Sequence, residues 1–205
     1  MLDREPLLHP IAIGDLRPTQ MTVGYLEVAR KRREWRARKG AKGSDYLGRH
    51  MIPVVTGPKG RCWMIDNHHL ARALHEEGVK EVLVRIVADL DHLEGRLFKT
   101  FMDNRNWLHP FDARGRRQAT GKIPHHIADL TDDPYRSLAG ELRRSGGYAK
   151  DDTPYSEFLW ADFLRRHVPV EVVERDFTAA IEQALGIART SKAAYLPGWA
   201  GPHGD

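Results

Sequence analysis

The sequence predicts an α+β fold: a mixed strand-and-helix unit over roughly the first ninety residues, followed by a helical region. Three observations carry this. Strand patterns recur, as alternation at residues 9–16, short apolar runs at 52–55 and 62–65, and a run apolar on both faces at 81–89. Helical periodicity fills the intervals at 23–39 and 68–77. After residue 90 strand alternation stops and only helical patterns remain, so strands and helices are segregated rather than regularly alternating.

In order, Ile11, Ile13 and Leu16 mark a first strand that Pro18 ends. Val23, Leu26, Ala29, Arg30 and Arg33 then fall at helical spacing, up to Gly40. Residues 40–48 are rich in glycine and read as a flexible loop of the kind that covers a site. Ile52-Pro53-Val54-Val55 and Cys62-Trp63-Met64-Ile65, separated by a Gly/Pro turn, predict a hairpin. A helix over 68–77 buries Leu70, Ala71, Ala73 and Leu74, with Gly78 as its C-terminal stop. Val82, Val84 and Ile86 against Leu83, Arg85 and Val87 give a strand apolar on both faces. Later helices are expected at 90–101, 137–144, 156–167 and 174–186, with a frayed tail over 196–205. The domain reading is therefore 1–90, a helical region over 91–195, and the tail.

Length and composition bound the rest. At 205 residues the chain holds one domain, or one plus a smaller appendage. An apolar fraction of 41% against 29% charged residues is that of a folded globular protein rather than a disordered one. No apolar run approaches the roughly 20 residues that span a bilayer, so no membrane partner is expected. The acidic start Met1-Leu2-Asp3-Arg4-Glu5-Pro6 predicts no signal peptide. With Cys62 alone, an intrachain disulfide and a cysteine-based zinc site are excluded, and a cytoplasmic location is the expectation.

The net charge of +4 favours polyanion partners only weakly, but its distribution is uneven. Arg30, Lys31, Arg32, Arg33, Arg36, Arg38, Lys39 and Lys42 crowd one segment. Arg114, Arg116, Arg117 and Lys122 form a second cluster. Each reads either as a solvated face or as a surface for nucleic-acid phosphates.

The sharpest candidate site is the strand-to-helix junction Asp66-Asn67-His68-His69, with Arg72 one turn on. A helix N-terminus attracts anions, because its first N–H groups lack intrahelical partners and the macrodipole is positive there. Asn67 suits a cap or a positive-φ turn, two imidazoles stand beside it, and Arg72 can return a guanidinium to the same face. Adjacent histidines on a helix point about 100° apart, so a shared resident metal is disfavoured. A Mg²⁺ ion brought by phosphates, with Asp66 as an oxygen ligand, is the natural alternative. Thr19 and Gln20, in Thr19-Gln20-Met21-Thr22-Val23-Gly24, either line this pocket or belong to a simple helix cap at Thr22. Asp103, Arg105 and His109, with Asn104 and Asp112 among Trp107 and Phe111, form a polar and aromatic connection suited to closing over a substrate. His125-His126 reads as a helix start.

The run strand-Asp66-Asn67-His68-His69-Leu70-Ala71-Arg72-Ala73-Leu74 resembles the phosphate-binding box of the ParB/sulfiredoxin superfamily. Leu16-Arg17-Pro18 resembles that family's opening Leu-x-Pro element, and Ile52-Pro53-Val54-Val55 its Pro-Ile/Val-Val strand. The three elements stand in the family's order over the first ninety residues, and the layout with a long helical extension resembles the ParB-like nuclease group. The resemblance implies a ParB/sulfiredoxin-like domain that cradles nucleotide phosphates. Superfamily members use the box with CTP in partition, with ATP and a cysteine in sulfiredoxins, and with ADP in free-serine kinases.

Departures discriminate among these activities. The box has no cysteine, Gln20 stands where the kinases place a glutamate base, and Leu70 replaces the arginine that follows their histidine pair. A kinase mechanism would therefore need Glu27 or Asp66 as base, since an amide accepts no proton. A partition-type recognition helix is not evident in residues 103–167.

The reading is a protein that binds a nucleotide or other phosphate group at the box, with phosphoryl-transfer or phosphodiester chemistry. In it Asp66, His68 and His69 are catalytic, Asn67, Arg72, Thr19 and Gln20 bind phosphate, and Asp103, Arg105 and His109 line the substrate pocket. The alternative is a non-enzymatic DNA-binding or partition-type accessory protein acting through residues 30–42. Oligomeric state is left open.

Overall fold

The computed structural model describes residues 9–40 and 43–202. Lys42 of the basic cluster, the first eight residues and the last three of the tail lie outside the described residues. The elements in chain order are β1 (His9–Ala12), β2 (Thr22–Val23), α1 (Tyr25–Arg38), α2 (Gly43–Arg49), β3 (Ile52–Gly57), β4 (Arg61–Met64), α3 (His68–Glu76) and β5 (Glu81–Asp89). They continue with α4 (Gly95–Asn104), β6 (Thr131–Asp132), α5 (Pro134–Arg144), α6 (Ser156–His167), α7 (Val170–Arg175) and α8 (Phe177–Ala188). The α+β class is as the sequence predicts.

The chain divides into two units, one of residues 9–23 and 28–131, the other of 24–27 and 132–202. The first is built on a four-stranded sheet in the order β1-β5-β3-β4. β1 runs antiparallel to β5 and β4 antiparallel to β3, whereas β3 and β5 are parallel, with α3 in the connection between them. The pleat explains the buried pattern of β3. Val54 joins a core with Ile52, Met64, Leu70, Leu74, Val82 and Val84. Its neighbour Val55 points to the opposite face, into a second core with Phe98, Met102, Leu108 and Ile123.

This second core moves the predicted boundary. A break at residue 90 would leave Val55 and Trp63 without cover, so α4 and the segment up to Thr131 fold onto the sheet and belong to the first unit. Other local expectations change for equally specific reasons. The helix expected over 90–101 begins only at Gly95, because Leu90 N–H still donates to Thr56 C=O (2.7 Å) as an extension of the sheet. The predicted loop over 40–48 contains α2, whose buried Tyr46 packs at 5.7 Å against Trp35 of α1 and stacks on His50. Thr22 is not a helix cap; it lies in β2.

The second unit has its own core of Tyr135, Leu138, Leu142, Trp160, Phe163, Leu164 and small residues of α8. Within it, Tyr25 N–H donates to Asp132 Oδ1 (2.7 Å) and Leu26 N–H to Ser137 Oγ (3.1 Å), which cap the start of α1. The helix predicted over 174–186 is two helices, parted at Asp176, whose carboxylate accepts from Ala179 N–H (3.0 Å) and caps α8. The tail is pinned through residue 199. Trp160 Nε1 donates to Pro197 C=O (2.8 Å), Trp199 Nε1 to Ala188 C=O (3.0 Å), and Ala149 N–H to Gly198 C=O (2.7 Å).

α3 is tied at its C-terminal end to α1. Arg32 donates to Glu76 (2.9 Å) and Glu77 (2.7 Å), and Arg36 donates to both oxygens of Glu77 (2.7 and 2.8 Å). These guanidinium hydrogen bonds hold the Glu77 carboxyl down at about 2. A carboxyl with a depressed native pKa stabilises the fold above its unfolded value near 4.5, and the contribution fades as pH falls toward 2. Glu77→Gln is therefore expected to lower stability at pH 7 by up to about 1 kcal/mol. The gap to the parent, followed by urea unfolding, closes between pH 4.5 and 2; a pH-independent gap would remove the ion pairs as its cause. Gly57→Ala tests the second core. A Cβ there would lie 2.6 Å from Phe98 Cζ and 2.8 Å from Trp63 Cδ1, so both rings must shift. The expected cost is about 1–3 kcal/mol in urea unfolding.

Candidate functional site

β4 ends at Met64, and the chain turns into α3 through Ile65, Asp66 and Asn67. Asn67 adopts the left-handed conformation (φ 63°, ψ 26°), which a short polar side chain tolerates better than an apolar one. Its N–H donates to Asp66 Oδ1 at 2.6 Å, so the exposed Asp66 carboxylate is fixed at the turn. Asn67 Nδ2 donates to Met51 C=O (3.2 Å), across to the segment before β3. The N-cap residue therefore directs its side chain away from the helix end, and α3 starts without a side-chain cap. Leu70, Ala71, Ala73 and Leu74 bury the opposite stripe and hold the helix on the sheet.

The two histidines differ. His68 is only 4% exposed, and its Nε2 accepts from the Thr19 main-chain N–H at 3.1 Å. An accepting Nε2 carries no proton, so in this arrangement the ring is neutral and protonated at Nδ1. Thr19 Oγ1 lies 3.4 Å from the same nitrogen, but its hydrogen goes to Met64 C=O at 2.6 Å. His69, on the next position of the helix, is half-buried. His68 is thus engaged in joining the Leu-x-Pro element to the box, and His69 is the imidazole whose ring is not the acceptor of that bond.

Arg72 has a comparable structural load. Its Nη1 donates to the carbonyls of Ile127 (3.1 Å), Ala128 (2.7 Å) and Leu130 (3.0 Å), while Nε pairs with Glu76 at 2.6 Å. It anchors the turn Ile127–Asp129 against α3. That turn is a part of the site that sequence reasoning missed. The signal was present in the helix start at His125-His126 and the buried pair Ile127 and Leu130.

Thr19 and Gln20 run beside the polar connection. Thr19 C=O accepts from His109 N–H (2.8 Å), and Gln20 and His109 form a parallel bridge. Gln20 is 5% exposed, and its buried Nε2 has no hydrogen-bond acceptor among the described residues. An amide donor in that state costs free energy and is a natural partner for an incoming acceptor. The structure therefore brings Thr19, Gln20, His68 and His109 together, with the His109 ring stacked at 4.4 Å on Phe111. Asp103 and Arg105 engage elsewhere: Asp103 pairs with Arg117, and Arg105 lies 4.9 Å over the Trp107 ring.

Glu27, the other candidate base, lies in the second unit, where Arg144 grips its carboxylate with two hydrogen bonds. Among the described residues no group of three or more His, Cys, Asp or Glu side chains is gathered to hold a metal ion. No helix of the described residues is long and apolar enough to cross a membrane. Four cations of the basic segment of α1 are paired with glutamates within the fold. Arg30 and Lys31 pair with Glu34, Arg32 with Glu76 and Glu77, and Arg36 with Glu77, while Arg33 and Lys39 stay exposed.

The model of the "Putative ParB-like nuclease" family matches residues 9–166. The chain belongs to this family. The match runs through the box, the polar connection and most of α6, well past the ninety residues on which the resemblance first rested. A crystal structure of protein Atu1540 from Agrobacterium tumefaciens is similar over 96% of this chain and 99% of that one, at 49% identity and a TM-score of 0.89. Its name carries no activity. No curated protein matches the chain.

The Thr19–His68 bond makes a direct prediction for this ParB-like domain. His68→Phe keeps the ring volume but leaves the buried Thr19 N–H without an acceptor. The expected destabilisation is about 1–3 kcal/mol, measured by urea unfolding. A neutral outcome would mean that the bond does not hold the two segments together.

Proposed function

We propose that the junction of β4 and α3 binds the phosphate of a nucleotide or polynucleotide and promotes phosphoryl transfer or phosphodiester cleavage there. The observation that carries this reading is the N-terminus of α3. It begins without a side-chain cap, because Asn67 turns its amide toward Met51, and the buried Gln20 amide donor, on the segment bonded to His68, has no acceptor among the described residues. An anion at the helix end would meet the positive end of the dipole.

Within this reading the residues divide by role. His69 moves the proton, since His68 Nε2 is occupied by the Thr19 N–H. Asp66, exposed and oriented by the Asn67 N–H, is the oxygen ligand for a Mg²⁺ ion that arrives with the phosphates. Thr19 and His68 are positioning residues, and Arg72 holds the neighbouring turn in place. Asp103, Arg105 and His109 shape the approach, with Arg105 and the aromatic rings as a surface for a base. Membership of a ParB-like nuclease family supports phosphodiester chemistry as the reaction class. A non-enzymatic DNA-binding role through residues 30–42 has less charge behind it, because four of those cations are paired with glutamates.

The test is a panel of ADP, ATP, CTP and single-stranded DNA with Mg²⁺, read by thermal shift and by phosphate release or strand cleavage. At least one ligand should raise the melting temperature and be turned over. His69→Ala should keep the thermal shift and lower turnover by about 10²–10⁴-fold. If no ligand shifts the melting temperature and none is consumed, the reading fails; unchanged turnover in His69→Ala removes that histidine from the chemistry.

A further inference from the structure

We propose that the first unit carries a second ligand site, at the opposite end of β4 from the box, which takes a small organic anion bearing a phosphate or carboxylate group. A cavity of about 330 Å³ opens there, between the segment after β1 and the start of β4. That volume lies at the low end of the roughly 300–1,000 Å³ range of small-molecule sites. Cys62 lines it, and Asp66 of the box lies four residues further along nearly extended chain, about 13 Å away at some 3.3 Å per residue.

The charges that line the cavity set the ligand class. Arg17 and Arg61 both face it, against the single carboxylate of Asp15. Several other arginines of this unit are ion-paired, among them Arg32, Arg36, Arg72 and Arg117. Among the described residues neither cation of the cavity has a carboxylate within ion-pair range. Arg17 donates one bond from Nη1 to His125 C=O at 2.9 Å, and among the described residues its guanidinium has no other hydrogen-bond acceptor. A guanidinium offers a planar fork that matches a carboxylate or phosphate, so two of them lining one cavity select an anion. His126 adds an imidazole to the lining. Asp15 repels a bare polyphosphate and suits a hydroxyl or ammonium on the same molecule, which points to a small hydroxy- or amino-substituted acid.

The frame around the site is rigid and the entrance is open. Arg17 N–H donates to Cys62 C=O (2.8 Å), and its own carbonyl accepts from Met64 N–H (2.9 Å), so the backbone that carries the first guanidinium is stitched to β4. Gly14 and Gly60 are on the rim, and a Cβ at either would meet nothing within 4 Å. Burial pushes the Cys62 thiol up, which slows its reaction with alkylating reagents without preventing it. Its use here is as a reporter, since it is the chain's only cysteine.

The experiment follows alkylation of Cys62 by N-ethylmaleimide in the full-length protein, with glycerol 3-phosphate, glycerate or inorganic phosphate added, and titrates the same probes by calorimetry. Glycerol 3-phosphate or glycerate should slow labelling several-fold in a saturable way and give a matching binding isotherm; which of them does so identifies phosphate or carboxylate as the preferred head group. Arg61→Ala, at an exposed side chain, should retain the parent melting temperature and lose both the protection and the heat. His69→Ala should keep both, which separates this site from the box. The proposal is overturned if none of the probes protects Cys62 or releases heat, if inorganic phosphate alone matches the organic acids, if Arg61→Ala keeps full protection, or if protection is lost in His69→Ala.

Discussion

The hydrogen bond from the Thr19 main chain to His68 Nε2 joins the two segments from which the candidate site is made. Without it the Leu-x-Pro element would border β4 only through the backbone of Arg17 and the Thr19 hydroxyl bonded to Met64 C=O. With it, the first turn of α3 and the polypeptide entering β2 share one buried contact. The bond also assigns work to the paired histidines that the sequence leaves symmetrical. One ring is neutral and structural, and its neighbour on the helix does not share that bond. Arg72 repeats this pattern one turn later: a residue of the type that binds phosphate is drawn into three backbone carbonyls, and so fixes the turn beside the helix.

Charge in this chain is handled locally. The run of arginines and lysines on α1 looks like a polyanion surface when read along the sequence. In the fold, glutamates one turn away on α1 and at the end of α3 take up Arg30, Lys31, Arg32 and Arg36. The same pairs fix the end of α3 opposite the box, so the basic helix acts first as a clamp on the helix that carries the site. Cations that line open space occur elsewhere, around the start of β4.

Much of this is legible in the amino-acid sequence. Strong periodicity gave β5 its bounds, and the hairpin and α3 followed from apolar runs about a Gly/Pro turn and a polar junction. The box, the Leu-x-Pro element and the hairpin strand were enough to point to the family. Features that depend on distant partners were not legible. The division of the chain near residue 131 follows from the apolar second face of β3, which requires α4 as cover. Residues 40–48 read as a loop because the local glycines gave no sign that Tyr46 finds Trp35. Asp103 and Arg105 stand close to His109 in sequence, yet they engage Arg117 and Trp107, whereas His109 meets Gln20. Sequence proximity could not sort those three residues.

β3 lies between β4 and β5 in the sheet, and its successive side chains enter different cores: Val54 packs toward α3, and Val55 toward α4. No opening of this strand can expose one core and spare the other. Its amides are therefore among the last in the unit to exchange with solvent hydrogen, and loosening on either face is transmitted to the other as a cooperative loss of order. The box follows β4, an edge strand of this sheet, so it is tied to the stiff strand through one neighbour, while His109 and Gln20 beside it are anchored mainly by backbone hydrogen bonds.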